Sequence, residues 1–413
     1  MNRVVIVGAG LAGMRAAERL RELGFPGEVI LIGAETSMPY HRPALSKQFL
    51  TGEQSEADLE IESFDDLDVL WRLDTPVSQL DPGRRMLHLP GGEELRYDGL
   101  IIATGVEARR MRGAPNGHPR VITLRTIADA RRIQRALAGN RAPTVVLGSG
   151  FTGCEITATL RSIGREVTIV GRTDPLMANL LGDELGMHIT DLHTRRGVNL
   201  ELGTTIEDWA PGPRSIVVRL SNGRVIDAAC VVVAVGSAPT VRWLRESGVP
   251  VEDGVVCEAT CHVVGFDDMV AAGDVASWPN LRFSTKARRT EHWTNANEMG
   301  RAAAESLLAG RSGAEPFMPV PRFWSEQHGL HIQAAGIPAL GTDRIAEPGV
   351  PVSRSVTQYV HNGRLMGVVG FDSAAAVLSF AEDLAQLKPL TPGGTIAATP
   401  GRRRSFMESI RSA

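Results

Sequence analysis

The chain has 413 residues, of which 44 are basic and 47 acidic, giving a formal net charge of −3. This near-balance disfavours a protein that binds nucleic acid over its whole surface, and the length predicts several domains. Four cysteines in so long a chain indicate a reducing compartment without structural disulfides. The sequence contains no apolar stretch of membrane-spanning length, and its apolar N-terminal run enters a glycine turn rather than a cleavage site. We therefore expect a cytoplasmic protein without membrane or nucleic-acid partners.

The first predicted element is a buried strand at residues 4–7, which turns into a helix through three glycines. Gly8, Gly10 and Gly13 have the spacing of a dinucleotide-binding turn. Glycine permits the sharp turn, the close approach of a pyrophosphate and tight helix packing, and the helix N-terminus offers free amides to the phosphates. Glu35 follows the next predicted strand, about 20 positions later, where a carboxylate can bind the ribose hydroxyls.

A turn-rich segment and another buried strand come next. Residues 39–47 read Pro-Tyr-His-Arg-Pro-Ala-Leu-Ser-Lys and lead into a predicted helix. Residues 100–103 form an apolar run that ends in Thr104 and Gly105, which predicts a strand followed by a turn of small residues.

A second glycine turn follows a second apolar strand, at residues 144–147. Gly148, Gly150 and Gly153 repeat the spacing of the first turn, and the segment 230–236 repeats the strand and small-residue turn seen before. We interpret this as a duplication of architecture. Two such turns in one chain predict two dinucleotides, one a fixed redox carrier and the other an exchangeable donor.

The remainder of the chain carries three further signals. Residues 269–274 form a short apolar strand that closes on Gly-Asp, and a helix is predicted from the Glu-His-Trp sequence at 291 to about 308. The proline-rich stretch 316–321 is typical of a linker. Strand-like runs at 322–387 predict a small α+β domain, and residues 391–413 are interpreted as a loose tail.

Four motifs together resemble one family, the FAD-dependent ferredoxin reductases that supply bacterial haem monooxygenases and dioxygenases. They are the segments 39–47, 271–274, 291–296 and 323–327, and the resemblance covers roughly residues 3–385. The resemblance implies an FAD domain interrupted by an NAD domain, followed by a C-terminal interface domain. The order of the motifs agrees with this arrangement.

The predicted fold class is therefore α/β, with two Rossmann-like dinucleotide-binding domains for FAD and NAD(P), plus a C-terminal α+β domain, in an architecture like that of glutathione reductase. The predicted boundaries are residues 1–108 and 236–318 for the discontinuous FAD-binding domain, 109–235 for the NAD(P)-binding domain, 319–390 for the C-terminal interface domain and 391–413 for a flexible tail.

The resemblance also implies roles for individual residues at the flavin. It gives Asp274 a hydrogen bond to the ribityl chain, against the alternative of an ordinary Gly-Asp turn. The helix that opens at Glu291 would aim its N-terminus at the pyrimidine edge of the flavin and stabilise negative charge there by up to about 2 kcal/mol. His292 and Trp293 are interpreted as markers of this helix start rather than as chemical groups.

Lys47 and Glu155 are the candidate catalytic residues. The family places this lysine beside the reactive nitrogen of the flavin and pairs it with the glutamate just past the second glycine turn. A buried ammonium needs such a partner because an unpaired charge away from water is costly. The alternative is a surface lysine and an unrelated glutamate at a helix start.

The candidate cofactor-binding residues are Gly8, Gly10, Gly13, Glu35, Arg42, Lys47, Thr104, Gly105, Gly148, Gly150, Gly153, Arg172, Gly236, Gly273, Asp274, Glu291, His292, Trp293 and Trp324. No metal site is predicted, since no group of His, Cys and Asp residues has ligand spacing.

The second nucleotide site departs from the usual pattern. An NAD-binding unit places an acidic residue at the end of its second strand, but here the strand 167–171 is followed by Arg172. A guanidinium there can clasp the extra phosphate of NADPH. Asp174 is the competing ribose ligand, and an exposed arginine without a ligand is the third possibility. We expect NADPH to be used at least as well as NADH.

Flavin takes a two-electron hydride, whereas an iron–sulfur protein takes one electron at a time, so we expect an FAD reductase to convert between them. The partner predicted is a ferredoxin with an acidic face, and indirectly an oxygenase. Arg288 and Arg289 are candidates for a basic docking face, and Trp324 for a position near the flavin edge.

Two other functions compete with ferredoxin reduction. One is an NAD(P)H oxidoreductase for rubredoxin, a quinone or another small acceptor, and the other is an interaction flavoprotein switched by its redox state. A disulfide reductase is disfavoured because residues 39–50 contain no cysteine and the nicotinamide unit has no Cys-x-x-Cys.

Overall fold

The structure is a computed structural model, and it describes residues 1–61, 67–346, 350–388 and 390. The predicted tail at 391–413 lies outside the described residues. The α-helices in the described part of the chain are α1 (Leu11–Glu22), α2 (Gln48–Thr51), α3 (Ile127–Leu137), α4 (Phe151–Ser162), α5 (Ala178–Leu181), α6 (Asp183–Arg195), α7 (Trp293–Ala309) and α8 (Ala374–Ala385).

A parallel five-stranded sheet forms the first core. Its strands, in spatial order, are Met269–Ala271, Gly99–Ile102, Arg3–Val7, Glu28–Ile32 and Leu70–Arg72. Most of their residues are buried, as expected for parallel strands, which are covered on both faces. The outer strand at 269–271 is added only after the chain has built the second sheet.

A second parallel five-stranded sheet is formed by the part of the sequence between the strands at 99–102 and 269–271 of the first sheet. Its strands, in spatial order, are Asn199–Leu202, Val167–Gly171, Thr144–Leu147, Cys230–Val233 and Val121–Thr123. In both sheets the strand before the glycine turn is central: the next strand in sequence lies on one side of it and a later strand on the other. Each glycine turn thus stands at a topological switch point, where open α/β sheets bind ligands.

Shorter strands connect and extend the two sheets. The chain passes from the first sheet to the second through the strand Val106–Ala108 and returns through Ser237–Pro239, and these two strands pair antiparallel with each other. The remaining short strands are Gln79–Asp81, Met86–His88, Glu94–Arg96, Ile206–Pro211, Ile216–Leu220, Val225–Ala228, Val251–Glu252, Gly254–Val256 and Ala276–Ser277.

An antiparallel five-stranded sheet with α8 packed against it completes the fold. Its strands, in spatial order, are Arg322–Gln327, Leu330–Gly336, Arg364–Phe371, Val356–His361 and Asp343–Ile345. The predicted fold class, two parallel dinucleotide-type units with a C-terminal α+β unit, is confirmed.

The linker before this last sheet is bonded along its length to the first part of the fold. The side chains of Trp278, Asn280 and Arg282 donate hydrogen bonds of 2.9–3.2 Å to backbone carbonyls of residues 317–319. The proline-rich composition at 316–321 therefore corresponds to an extended segment that other side chains hold in place.

Helices α1 and α7 cross closely on one face of the first sheet, and a glycine makes the approach possible. A Cβ atom at Gly300 of α7 would lie 2.3 Å from the carbonyl oxygen of Ala12 in α1. Because backbone atoms cannot move aside as a flexible side chain can, the two helices must separate to admit any side chain there.

We expect Gly300→Ala to lower the free energy of unfolding by about 1–3 kcal/mol through overpacking, in spite of the roughly 1 kcal/mol by which alanine favours a helix over glycine. Urea or thermal unfolding measures the change. Gly117→Ala is the matched control, since no described atom lies within 4 Å of a Cβ built there. Equal stability of the two variants would contradict the close helix crossing.

Candidate active site

A cavity of about 750 Å³ opens at the carboxyl edge of the first sheet. It runs past the first glycine turn, along the segment at 42–47 and up to the strand at 323–324. The predicted residues that line it are Gly8, Gly10, Glu35, Arg42, Lys47, Thr104, Gly105, Glu155, Asp274, Glu291, His292, Trp293 and Trp324. Most of the predicted flavin-site residues are therefore brought together around one space.

The first glycine turn has the shape that a bound pyrophosphate needs. A Cβ at Gly8 would lie 2.1 Å from the carbonyl oxygen of Ala103, and a Cβ at Gly13 would lie 2.0 Å from the carbonyl oxygen of Gly8. A Cβ at Gly10 would meet no described atom within 4 Å. The outer two glycines are thus required by packing, whereas Gly10 leaves room beside the N-terminus of α1 for a ligand.

Gly273 and Gly13 act through packing and do not line the cavity. Gly273 has φ +75°, and a Cβ there would lie 2.8 Å from the Cβ of Ala12. Its neighbour Asp274 does line the cavity. The Gly-Asp motif therefore brings its strand end close to α1 and turns the carboxylate towards the space.

A polar cluster lines the cavity around Glu35. Its carboxylate accepts hydrogen bonds from Arg42 Nη2 at 2.5 Å and from Tyr40 Oη at 2.7 Å. Arg42 also donates to Tyr40 Oη at 2.7 Å, and burial raises the pKa of the Tyr40 phenol, which keeps it a neutral donor. Two of the roughly four lone-pair sites of the Glu35 carboxylate stay available for ribose hydroxyls.

Asp274 lines the cavity and is paired with an arginine that sequence reasoning missed. Arg125 Nη2 donates to Asp274 Oδ2 at 2.9 Å. Burial raises the pKa of Asp274, and the guanidinium opposes that shift. The pairing lets a buried carboxylate carry charge beside a ligand while one oxygen still accepts from hydroxyl groups.

Lys47 and Glu155 form the ion pair that the sequence predicts. The Lys47 Nζ to Glu155 Oε2 distance is 2.9 Å, and both side chains are largely buried. The same Glu155 oxygen accepts from Ser46 Oγ at 2.7 Å, and Oε1 accepts from Ser325 Oγ at 2.7 Å. Neither serine was identified from sequence, because each reaches the carboxylate through the tertiary fold. Lys47 also donates to the carbonyl of Pro43 at 3.3 Å.

The start of α7 differs from the prediction by two residues. The helix begins at Trp293, and His292 is its N-cap residue. Glu291 lies outside the helix because its carboxylate accepts hydrogen bonds from Ser237 Oγ at 2.6–2.7 Å and from Arg289 at 2.6 Å. The helix start still lines the cavity, as expected.

An aromatic group surrounds this helix start. The Trp293 ring lies 5.9 Å from the His41 ring and 6.3 Å from the Trp324 ring, and the His292 ring lies 5.0 Å from the Phe323 ring. Burial lowers the pKa of His292 to about 4, so its imidazole is neutral at pH 7. Trp324 lines the cavity and is 43% exposed, which puts an aromatic ring at the mouth.

The two arginines proposed for a docking face have different environments. The Arg289 side chain is 8% exposed and pairs with Asp253 and Glu291, so little of its guanidinium is available to a docking partner. Arg288 is exposed and remains a candidate for docking.

The second glycine turn repeats the geometry of the first. A Cβ at Gly148 would lie 2.1 Å from the carbonyl oxygen of Ala234, and one at Gly153 would lie 2.1 Å from the carbonyl oxygen of Gly148. Gly150 has only Leu180 near, at 4.0 Å from a Cβ built there. This turn therefore has the same open middle position beside the N-terminus of α4.

Arg172 follows the second strand of this unit and is exposed, with no hydrogen bond or ion pair to any described residue. Asp174, the competing ligand, is exposed as well. On the neighbouring strand, Glu201 is already bonded by Asn222 at 2.7 Å and by Arg224. The charged group that directly follows Gly171 is thus the Arg172 guanidinium, which has no partner among the described residues.

Comparison with known families agrees with this arrangement. Residues 2–300 match the family described as pyridine nucleotide-disulphide oxidoreductase, and residues 322–394 match the one described as reductase C-terminal. The chain belongs to this oxidoreductase family. All four cysteines are buried and free, so this member has no disulfide between them.

Curated relatives extend over nearly the whole chain. The benzene 1,2-dioxygenase system ferredoxin–NAD(+) reductase subunit of Pseudomonas putida is 30% identical over 374 residues, which covers 90% of each chain. Rhodocoxin reductase of Rhodococcus erythropolis is 32% identical over 394 residues, covering 94% of this chain and 91% of the relative.

Solved structures share the fold. The ferredoxin reductase for the CYP199A2 system from Rhodopseudomonas palustris has a TM-score of 0.87 at 28% identity, covering 95% of this chain and 96% of the other. The covalent putidaredoxin reductase–putidaredoxin complex also gives a TM-score of 0.87, at 24% identity and 95% coverage of both chains. Within the described residues, no helix has the length and apolarity to cross a bilayer, and no cluster of three or more His, Cys, Asp or Glu side chains could hold a metal ion.

The lowered pKa of His292 predicts a pH dependence of stability. The unfolded chain binds a proton near pH 6.5 but the folded state only near pH 4, so this contribution is complete above pH 6.5 and is lost as the pH falls to about 4. Between pH 7 and pH 5, we expect the cofactor-free protein to lose about 2 kcal/mol more than a His292→Gln variant does. Urea unfolding at the two pH values measures this difference, and parallel losses would contradict a buried neutral His292.

Proposed function

We propose that this protein is an FAD-dependent oxidoreductase that takes a hydride from NAD(P)H and passes single electrons to an iron–sulfur ferredoxin serving an oxygenase. The observation that carries the proposal is the cavity itself. It joins a dinucleotide turn and a ribose-binding carboxylate to a buried lysine–glutamate pair, and the second dinucleotide turn contributes the helix that bears the glutamate. The names of the curated relatives, reductases of ferredoxin-dependent dioxygenase systems, support the choice of acceptor.

FAD, when bound, accepts two electrons as a hydride and gives up electrons one at a time. The residues that would hold it fit its parts. Gly8, Gly10 and the N-terminus of α1 would receive the pyrophosphate, Glu35 the adenosine ribose and Asp274 the ribityl hydroxyls. The N-terminus of α7 would face the negatively charged end of the reduced ring system.

Lys47 and Glu155 would act where the nicotinamide meets the flavin. Glu155 comes from the helix of the nicotinamide unit and Lys47 from the wall of the flavin cavity, so their contact lies where the two units join. The ammonium would donate hydrogen bonds to the nicotinamide amide or to the flavin and keep the two rings in register. The carboxylate holds that ammonium in place and balances its charge.

Electrons would leave by the open end of the cavity. Trp324 stands there, 43% exposed, and Trp293 lies behind it. A planar apolar ring at the mouth suits a small protein partner, and the exposed Arg288 adds positive charge suited to an acidic ferredoxin. We further propose a cytoplasmic location, since four free, buried cysteines suit a reducing compartment.

The variant Lys47→Met tests the proposed role of the lysine. The wild-type protein should bind FAD, be reduced anaerobically by pyridine nucleotide and then reduce a [2Fe–2S] ferredoxin. We expect the variant to retain FAD but to be reduced about 10- to 100-fold more slowly, the value of a hydrogen bond to a charged group. Stopped-flow absorbance of the flavin measures both.

Lys286→Met is the matched control, because Lys286 is an exposed lysine outside the cavity. Unchanged flavin reduction in Lys47→Met would remove this lysine from hydride transfer. A wild-type protein that reduces a quinone or rubredoxin but not a ferredoxin would favour the competing acceptor class.

We also propose that Arg172 selects the 2′-phosphate of NADPH, although the relatives carry NAD(+) in their names. Its guanidinium is exposed and unengaged at the strand end where a ribose ligand is expected. We expect Arg172→Gln to lower kcat/KM for NADPH about 10-fold and to leave NADH nearly unchanged.

Steady-state kinetics with both donors measures this effect. Arg195→Gln is the control, since Arg195 is an exposed arginine that pairs with Asp191 on α6. A wild-type enzyme with a strong preference for NADH would refute the role of Arg172.

A further inference from the structure

A series of hydrogen bonds leads from Glu155 to the protein surface. Ser325 Oγ lies 2.7 Å from Glu155 Oε1, and Gln327 Nε2 lies 3.3 Å from Ser325 Oγ. Gln327 Oε1 lies 3.1 Å from His193 Nε2, and His193 Nδ1 lies 3.2 Å from His328 Nε2. We call these residues the Glu155 chain.

The inner members of the Glu155 chain are shielded from solvent. Ser325 is 2% exposed, and Gln327 and His193 are 0% exposed. Bulk water therefore cannot replace a missing partner, and each donor in the chain has to meet a protein acceptor. Gln327 Nε2 has a second acceptor outside the chain, Met177 Sδ at 3.5 Å. His328, the outer member, is only half-buried.

The chemistry of the members gives the chain one direction. The Glu155 carboxylate can only accept hydrogen bonds, so the Ser325 hydroxyl must donate its one proton to it. The Ser325 oxygen can then only accept, and Gln327 must turn its NH2 group to it. This leaves Gln327 Oε1 facing His193, which must donate from Nε2 and accept at Nδ1 from His328.

The reverse arrangement fails at the serine. It would set Gln327 Oε1 against Ser325 Oγ and ask one hydroxyl proton to serve two acceptors. The buried negative charge thus fixes the amide orientation of Gln327 and the neutral Nε2–H tautomer of His193.

We infer that Ser325, Gln327 and His193 are positioning residues, which hold the Glu155 carboxylate ionised and directed at Lys47. This inference rests on the proposed role of the Lys47–Glu155 pair. The chain is not a proton path, since relay through the Gln327 amide would require an unstable imidic acid form. Its action is to supply a fixed, oriented donor to the oxygen that Lys47 does not occupy.

The charges around the chain agree with neutral imidazoles along it. Burial lowers the pKa of His193, and burial together with His193, Arg196 and Arg161 lowers the pKa of His328 to about 3. At the other end, the charged group that faces Glu155 is Lys47.

Burial, and to a smaller extent the same Lys47 ammonium, lowers the pKa of His41. The lowered pKa values favour the neutral imidazole at both histidines of the Glu155 chain, in agreement with the direction of its hydrogen bonds.

The first test is Ser325→Ala in the FAD-loaded protein. We expect hydride transfer to slow about 10- to 100-fold, as for a lost hydrogen bond to a charged group, and the acidic limb of its pH profile to move to higher pH. Ser325→Thr keeps the hydroxyl and should restore both. A substitution that merely loosens the fold would lower the rate equally at all pH values.

The second test changes the residues of the Glu155 chain that lie beyond Ser325. Gln327→Met and His193→Gln should each slow hydride transfer about two- to ten-fold, since they remove neutral hydrogen bonds. Combined with Ser325→Ala, Gln327→Met should add little, because the link to Glu155 is already broken. His188→Gln is the matched control: it lies on the same helix, α6, and its ring contacts Phe371 outside the chain.

A readout independent of turnover is the tautomer of His193. Long-range ¹H–¹⁵N spectra of ¹⁵N-histidine-labelled protein, assigned with the His193→Gln variant, should show a neutral Nε2–H ring at neutral pH. A charged His193 ring, or one protonated only at Nδ1, would contradict the proposed direction of the hydrogen bonds.

The two levels of the proposal are separable. If Lys47→Met slows hydride transfer but Ser325→Ala leaves both its rate and its pH profile unchanged, the positioning role fails and the proposed function stands. If neither variant affects hydride transfer, the role of the ion pair fails, whatever the tautomer of His193.

Discussion

The buried carboxylate of Glu155 is the constraint on which the arrangement of the site depends. A carboxylate removed from water costs several kcal/mol unless it is paired and hydrogen-bonded. Its contacts join three distant parts of the chain: Ser46 and Lys47 beside the cavity, Glu155 itself on the helix of the second unit, and Ser325 in the C-terminal sheet. All three parts must therefore dock correctly before this one charge is satisfied, which links correct assembly to the geometry of the site proposed for hydride transfer.

The features that sequence reasoning found are those that a short segment specifies by itself. Both glycine turns were predicted because packing dictates their outer glycines: a side chain at Gly8 or Gly148 would collide with the backbone of the adjacent strand. The parallel strands followed from their apolar runs. The Lys47–Glu155 pair, whose members are more than 100 positions apart, was identified through resemblance to a family and not from local pattern, and the structure brings the two side chains to 2.9 Å.

The features that it missed are tertiary contacts without a local signal. Tyr40 lies in the motif at 39–47 but had no role of its own, and Arg125 lies in no motif, yet the fold brings them to Glu35 and Asp274. Arg289 was interpreted as part of a charged surface, but two carboxylates draw it inside. The start of α7 was displaced for a similar reason, since Ser237 and Arg289 hold Glu291 out of the helix. Such choices depend on which charges meet in space, and a single sequence does not record that.

The bonded linker before the C-terminal sheet has a consequence for how a partner associates. Trp278, Asn280 and Arg282 hold its carbonyls, and Arg282 also donates to the backbone at Leu387, beyond α8. Hydrogen bonds thus attach the last sheet to the rest of the protein on both sides of it in sequence, which restrains its rotation relative to the other units. A partner that binds at the surface of this sheet would therefore meet a preformed surface, and its binding would carry little ordering entropy.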